Sequence, residues 1–86
     1  MKLKYSKKFR KELRKLSSKK QLKVKQVIEI FKKNPRDPRL RNHKLHGKIK
    51  DRRSISVDSD LRIVFREENN YLLVLFLQIG NHKQVY

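Results

Sequence analysis

His82 and Tyr86 stand four residues apart in Gly80-Asn81-His82-Lys83-Gln84-Val85-Tyr86, directly after an apolar segment. Histidine donates or accepts a proton near neutral pH, and a tyrosine does so when neighbouring cations lower its pKa. Cations are plentiful: the 86 residues include 25 Lys and Arg against 8 Asp and Glu, a formal net charge of +17. Two proton-transfer groups in so basic a chain point to chemistry beside a polyanion, and RNA cleavage is a reaction that needs such a pair.

The charge is unevenly distributed. Residues 1–53 carry 22 Lys and Arg and 4 Asp and Glu, net +18, whereas residues 54–86 carry 3 and 4, net −1. The basic part is expected to form a phosphate-facing surface, with nucleic acid ahead of acidic protein or a membrane as the partner. A chain of this length supports one domain, residues 1–86, with a modest core. The sequence has no cysteine, which removes disulfides, thiol catalysis and Cys-based zinc sites. His43 and His46 are three residues apart but lack Cys or carboxylate partners, so no metal and no cofactor is expected. The longest apolar run, residues 71–77, is too short to span a bilayer, and the N-terminus lacks the apolar core of a secretion signal. A soluble cytoplasmic protein without membrane association is the expectation.

Elements that would position these groups follow from periodicity. Leu3 and Tyr5 alternate with Lys2 and Lys4, the pattern of a short edge strand guarded by lysines. Ser6 is placed to cap a helix with apolar positions Phe9, Leu13 and Leu16. Ser17-Ser18 breaks that helix, and a second one carries Val24, Val27, Ile28 and Phe31 and stops before Asn34-Pro35. Residues 35–51 read as a loop with a short strand around Lys44 to His46. Ile55 and Val57 alternate with Ser54 and Ser56, and Leu61, Ile63 and Phe65 with Arg62, Val64 and Arg66, as half-buried strands joined by a turn at Asp58-Ser59-Asp60. Residues 71–79 are apolar on both faces and make an interior strand. The predicted class is α+β: a short N-terminal strand, a two-helix hairpin and an antiparallel meander, with the helices packed on one sheet face. If Leu61, Ile63 and Phe65 face the helices, Arg62 lies on the opposite face, where the tail can join it in a cationic site.

Three segments carry a family resemblance. Asn42-His43-Lys44-Leu45-His46-Gly47-Lys48, Asp60-Leu61-Arg62-Ile63-Val64-Phe65 and Ile79-Gly80-Asn81-His82-Lys83-Gln84-Val85-Tyr86, in this order and over essentially the whole chain, resemble the RelE/ParE superfamily of bacterial toxins, especially the RelE and YafQ-like ribonucleases. The resemblance implies a RelE-like fold and a toxin of a type II toxin-antitoxin pair. It further implies cleavage of mRNA in the ribosomal A site, contact with ribosomal RNA, growth arrest through blocked translation, and silencing by a cognate acidic antitoxin. The implied reaction is metal-independent attack of the RNA 2′-hydroxyl on the adjacent phosphate, giving a 2′,3′-cyclic phosphate and a 5′-hydroxyl. His82 then matches the histidine of the YafQ-like tail, Tyr86 the terminal aromatic position, Arg62 the RelE arginine, Asp60 the YafQ-like aspartate and His43 the YafQ-like loop histidine. Ser56 departs from the pattern, since YafQ-like proteins place a histidine there.

The roles follow from what the reaction needs: a base, an acid and positive charge at the phosphorus. His82 is the preferred general acid. Tyr86 is a base or a platform on which a nucleobase stacks, and the terminal carboxylate is another candidate base if the chain ends there. Arg62 is expected to hold the scissile phosphate through its fork; a salt bridge to Asp60 or Glu67 is the alternative. His43 either transfers a proton or anchors its loop, and Asp60 either orients His82 or Arg62 or serves only the turn. Lys48, Lys50, Arg52, Arg53 and Lys83 are expected to bind flanking RNA. Two other readings share the charge: a ParE-like toxin that inhibits gyrase without catalysis, and a non-catalytic RNA-binding protein.

Overall fold

Alternating lysine and apolar residues form β1 (Lys2–Tyr5). Ser6, in an extended conformation, then starts α1 (Lys7–Arg14) by accepting the Phe9 N–H on its hydroxyl at 3.0 Å. Ser17 does the same for the Lys20 N–H, at 3.2 Å, and starts α2 (Ser18–Lys33), whose stripe Val24, Val27, Ile28 and Phe31 is buried. A computed structural model describes residues 1–47 and 51–85. Beyond α2 it has a 3₁₀ turn (Pro38–Leu40), then β2 (His43–Lys44), β3 (Arg53–Ser56), β4 (Leu61–Glu68), β5 (Leu73–Asn81) and α3 (His82–Val85).

The strands form one sheet in the order β1-β5-β4-β3-β2. β2 to β5 are an antiparallel meander, and β1 joins β5 in parallel, with Lys2 opposite Leu73 and Tyr5 opposite Phe76. Phe9 of α1 and the α2 stripe pack on the face formed by Ile55, Leu61, Ile63, Phe65, Val74, Phe76 and Ile79. Phe31 meets Phe65 edge-on at 5.1 Å and Phe76 at 5.6 Å. This is the expected α+β arrangement, with both helices on one sheet face. Among the described residues no helix is long and apolar enough to cross a membrane.

Two boundaries differ from the periodicity. The short strand of the long loop is His43–Lys44 rather than Lys44 to His46. The last strand begins at Leu73, because Asn69, Asn70 and Tyr71 all have positive φ (53°, 56° and 68°) and belong to the turn. Asparagine tolerates that region, whereas tyrosine rarely enters it. Tyr71 is held there by Glu67, whose carboxylate accepts the Tyr71 N–H at 2.9 Å, and by burial of its ring beside Phe31 and Phe65.

β5 also breaks its own alternation. Ile63 pairs with Ile79 and Val64 with Gln78, but Phe65 pairs with Phe76, so one residue, Leu77, is extra. This bulge lets Phe76 and Ile79, three positions apart, both enter the core. It lies where β1 has ended, so β5 has no strand on that side, and α1 supplies the missing partners. The Ser6 hydroxyl donates to the Leu77 carbonyl at 2.8 Å while its N–H donates to the Phe76 carbonyl at 2.9 Å. Glu12 Oε1 accepts the Ile79 N–H at 2.9 Å. Ser6 thus both caps a helix and completes a strand.

Ser6→Ala should therefore cost more than Ser17→Ala. Loss of a cap alone costs about 1 kcal/mol, and an orphaned carbonyl adds about 1 kcal/mol or more. Since each kcal/mol lowers Tm by roughly 4–8 °C in a domain this small, thermal melts of the two variants should differ by several degrees. Equal melting temperatures would show that the bond to Leu77 contributes nothing.

Candidate active site

The helices cover one face of the sheet, and Arg62 and His43 belong to the other. Ile55, Ile63 and Ile79 share a cross-strand row on the core face, so the neighbouring rows, His43-Ser54-Val64-Gln78 and Ser56-Arg62-Gly80, present their side chains to the opposite face. Arg62 thus lies on the face opposite the helices, as its alternation with Leu61 and Ile63 implies. That face is not bare, because Val64, Leu45 and Val85 form a small second core that seats α3 on the sheet.

Two features fix the start of α3 and with it His82. Asn81 Oδ1 accepts the Gln84 N–H at 2.8 Å, and Gln84 Oε1 accepts the Asn81 N–H at 2.7 Å, a reciprocal cap at the strand-to-helix junction. Gln84 folds over Gly80, where a Cβ would lie 2.7 Å from Gln84 Oε1 and 3.0 Å from its Cβ. A side chain at position 80 would therefore push the Gln84 amide away from its capping place. His82, the first residue of α3, is exposed and follows by two positions the glycine that pairs with Arg62.

Arg62 is half-buried, and neither Asp60 nor Glu67 holds it. Its Nη1 donates to the carbonyls of Asp58 (2.6 Å) and Leu61 (3.2 Å), and its Nη2 to that of Ser59 (3.2 Å). A guanidinium has five N–H donors, so among the described residues the Nε hydrogen and the second Nη2 hydrogen remain, a pair suited to two oxygens of one phosphate. The loop that offers those carbonyls is held by Asp58. Its Oδ1 accepts the N–H groups of Asp60 (2.9 Å) and Leu61 (2.8 Å), and its Oδ2 meets Lys20 Nζ at 2.5 Å and Lys23 Nζ at 3.7 Å. The Lys20 hydrogen bond, then those from the Leu61 and Asp60 N–H groups, hold the Asp58 carboxyl well below the ordinary 3.8. α2 thereby grips the loop that positions Arg62.

His43 serves as an anchor: its Nδ1 lies 2.9 Å from the Arg41 carbonyl. A carbonyl only accepts, so Nδ1 carries the hydrogen and, in the neutral ring, the in-plane lone pair sits on Nε2. His43 on β2 is two strands from β4, about 10 Å between backbones. Arg41 closes the 3₁₀ turn with φ 51° and ψ 44°, and lines, with Arg39, Ser56, Ser59 and Arg62, a hollow of ≈ 420 Å³.

The other expected residues divide. Asp60 is exposed, and it is Asp58 whose carboxylate organises the turn. Arg53 lies on the core-face side and donates to Asn42 Oδ1 at 2.8 Å; Asn42 in turn donates to the Pro35 carbonyl (2.8 Å) and the Tyr71 hydroxyl (3.0 Å). Arg53, half-buried, is thus tied to this internal network through its Nε. Arg52 is half-buried with Asp51 4.0 Å away, and Lys83 is exposed beside His82. Lys48, Lys50 and Tyr86 lie outside the described residues. Among the described residues no group of three or more His, Cys, Asp or Glu is placed to hold a metal ion. Arg39 and Arg41 carry no sequence signal, Asp58 reads only as a turn residue, and the Asn-x-x-Gln spacing at residues 81–84 is a capping signal.

A protein-family model described as a bacterial toxin of type II toxin-antitoxin system, YafQ, matches residues 1–86. Among solved structures the chain is similar to YafQ from Escherichia coli strain BL21(DE3), with a TM-score of 0.80 at 22% identity, covering 98% of this chain and 96% of the other. It is similar to a YoeB/ParE toxin from Agrobacterium tumefaciens (TM-score 0.78, 18% identity, 95% and 99% covered). A third match is to the E. coli DinJ-YafQ complex (0.71, 20%, 98% and 96%). No curated protein sequence matches it.

The lowered Asp58 carboxyl makes a pH prediction. A group whose folded pKa is depressed stabilises fully above its unfolded pKa, and that contribution is lost as pH falls through the folded value. Urea midpoints of the unsubstituted chain should therefore drop as pH falls below about 4, and Asp58→Asn should flatten that limb while costing about 1–3 kcal/mol near neutrality. An unchanged acid limb in the variant would show that the Lys20 contact is not formed in solution.

Proposed function

Because the chain belongs to the YafQ family of type II toxin-antitoxin toxins, we propose that it is a single-domain, cytoplasmic endoribonuclease that cuts mRNA in the ribosomal A site and so blocks translation. The observation that carries this reading is Arg62: three main-chain carbonyls aim its guanidinium, two donors remain, and its cross-strand partner Gly80 leads into the helix that starts with His82. Arg62 takes two non-bridging oxygens of the scissile phosphate and neutralises the charge that grows on them as the 2′-oxygen attacks. The P–O2′ bond forms, the P–O5′ bond breaks, and His82, protonated at the outset, gives its proton to the departing 5′-oxygen. The 2′-hydroxyl proton passes to a base, for which His43 Nε2 and Tyr86 are the candidates. The products are a 2′,3′-cyclic phosphate and a 5′-hydroxyl, and every charge and proton is supplied by side chains. Asp60, exposed on the turn before Arg62, is assigned no step.

The same reading includes an antitoxin. The E. coli relative has been solved as a DinJ-YafQ complex, and a chain of net charge +17 suits an acidic partner that folds over it. The groove between α1 and α2, ≈ 640 Å³ and lined by Tyr5, Phe9, Leu13, Val24 and Ile28 with Arg10 and Lys32 at its rim, offers apolar area for such a segment.

The test is cleavage of a defined mRNA on translating ribosomes, with free RNA in parallel. His82→Gln and Arg62→Ala should each lower the cleavage rate by about 10²–10⁴-fold, and the rate should be bell-shaped in pH, as an acid and a base of opposite required protonation demand. Intact mRNA in every lane would remove the nuclease reading and direct the next assay to gyrase inhibition.

A further inference from the structure

The hollow beside Arg62 gathers three guanidinium groups, and hydrogen bonds among the described residues use only part of their donors. Leu40 is 1% exposed, and its burial in the core turns Arg39 and Arg41, on either side of it, outward on the 3₁₀ turn that lies against β3. Both then line the hollow with Ser56, Ser59 and Arg62. The single carboxylate of the lining, Asp58, is already paired with Lys20 and Lys23. Arg39 gives Nε and Nη2 to Asp37 at 3.1 and 2.8 Å, which leaves its Nη1 edge, and Arg62 retains the two donors described above. Among the described residues the Arg41 guanidinium has neither a hydrogen bond nor an ion pair.

The Arg41 backbone argues that its direction matters. At φ 51° it occupies the left-handed region, which costs an L-residue about 1 kcal/mol and which glycine or asparagine would fill more easily. Its carbonyl also accepts the His43 Nδ1 hydrogen, so the residue that lines the hollow fixes the tautomer of a candidate base. Three guanidinium groups around one hollow repel one another until an anion enters.

We infer that this hollow is a second phosphate subsite, in which Arg41, with Arg39, binds the phosphodiester next to the one Arg62 holds for cleavage. The inference rests on the ribonuclease reading for the identity of its ligand only. It makes Arg41 a residue of substrate binding, separate from the bond-breaking step, since a group on a neighbouring phosphate contributes equally to bound substrate and transition state.

The experiment measures binding apart from cleavage, with a 2′-O-methyl oligoribonucleotide that lacks the attacking hydroxyl, by fluorescence anisotropy across a salt series. Arg41→Asn is the variant of choice, because asparagine accepts the left-handed conformation. It should weaken binding about 5–10-fold and reduce the slope of log K against log salt by about 0.7, one single-strand phosphate contact. Arg41→Lys should restore the slope but only part of the affinity, because an ammonium cannot fork two oxygens. In turnover Arg41→Asn should raise KM with kcat within about twofold. Titration of the unsubstituted protein with inorganic phosphate should shift the amide resonances of Arg41, Ser56 and Ser59. Binding unchanged in Arg41→Asn overturns the subsite while leaving the nuclease reading intact, as does a loss confined to kcat. If the oligonucleotide fails to bind but phosphate shifts those amides, the anion site stands and the RNA reading falls; if phosphate shifts none of them, the subsite falls as well.

Discussion

The extra residue in β5 is the constraint on which the rest depends. Phe76 and Ile79 must both reach a core built around Phe31 and Phe65, yet three positions along a regular strand put side chains on opposite faces. Leu77 resolves the conflict by bulging, and it can do so because Ser6 and Glu12 take up the backbone groups that β1 no longer reaches. Beyond the bulge the register is set anew. Ile79 faces the helices, Gly80 faces the open side opposite Arg62, and the reciprocal cap of Asn81 and Gln84 turns the chain into α3 with His82 at its start. Without the bulge each residue after it would change faces, and the pairing of Arg62 with Gly80 would be lost.

A second regularity lies in how so basic a chain uses its few acids. Asp58 ties α2 to the loop under Arg62, Glu12 completes β5, Glu67 holds Tyr71 in its turn and Asp37 clasps Arg39. Each of these carboxylates satisfies a backbone N–H or a cation within the fold, so they do little to shield the open face. Few acids are left to offset the 25 lysines and arginines elsewhere on the surface. The cost is self-repulsion in the free chain, which an anionic ligand or partner would relieve.

Much of the architecture was legible because burial imposes simple periods. The α2 stripe, the alternation of Leu61, Ile63 and Phe65 and the lysine-guarded first strand each forced one arrangement, and the position of Arg62 followed. The spacing of Val74, Phe76 and Ile79 contains the bulge, but a segment apolar on both faces hides a change of period. Tyr71 continues the apolar run of the last strand in sequence; the turn that claims it depends on the Glu67 carboxylate and on its packing beside Phe31 and Phe65. Asp58 and Asp60 are equivalent in Asp-Ser-Asp until Lys20 arrives from a helix distant in sequence. Arg41 carries no signal at all in a chain so rich in arginine and lysine, since only the burial of Leu40 gives it a direction. For Asn81 and Gln84 the signal existed in their spacing, and the helix they cap is too short for periodicity to reveal.

In the proposed reaction the RNA's own 2′-oxygen attacks a phosphate held by Arg62, and one substitution in the substrate removes that nucleophile. An mRNA carrying a single 2′-deoxynucleotide on the 5′ side of the mapped cut should resist cleavage at that bond alone, while the all-ribose control yields a fragment ending in a 2′,3′-cyclic phosphate, read by mass spectrometry of the purified products. Cleavage of the deoxy-substituted bond at an undiminished rate, or a control fragment bearing a plain 3′-hydroxyl, would contradict the mechanism, because either result requires a nucleophile other than the 2′-oxygen.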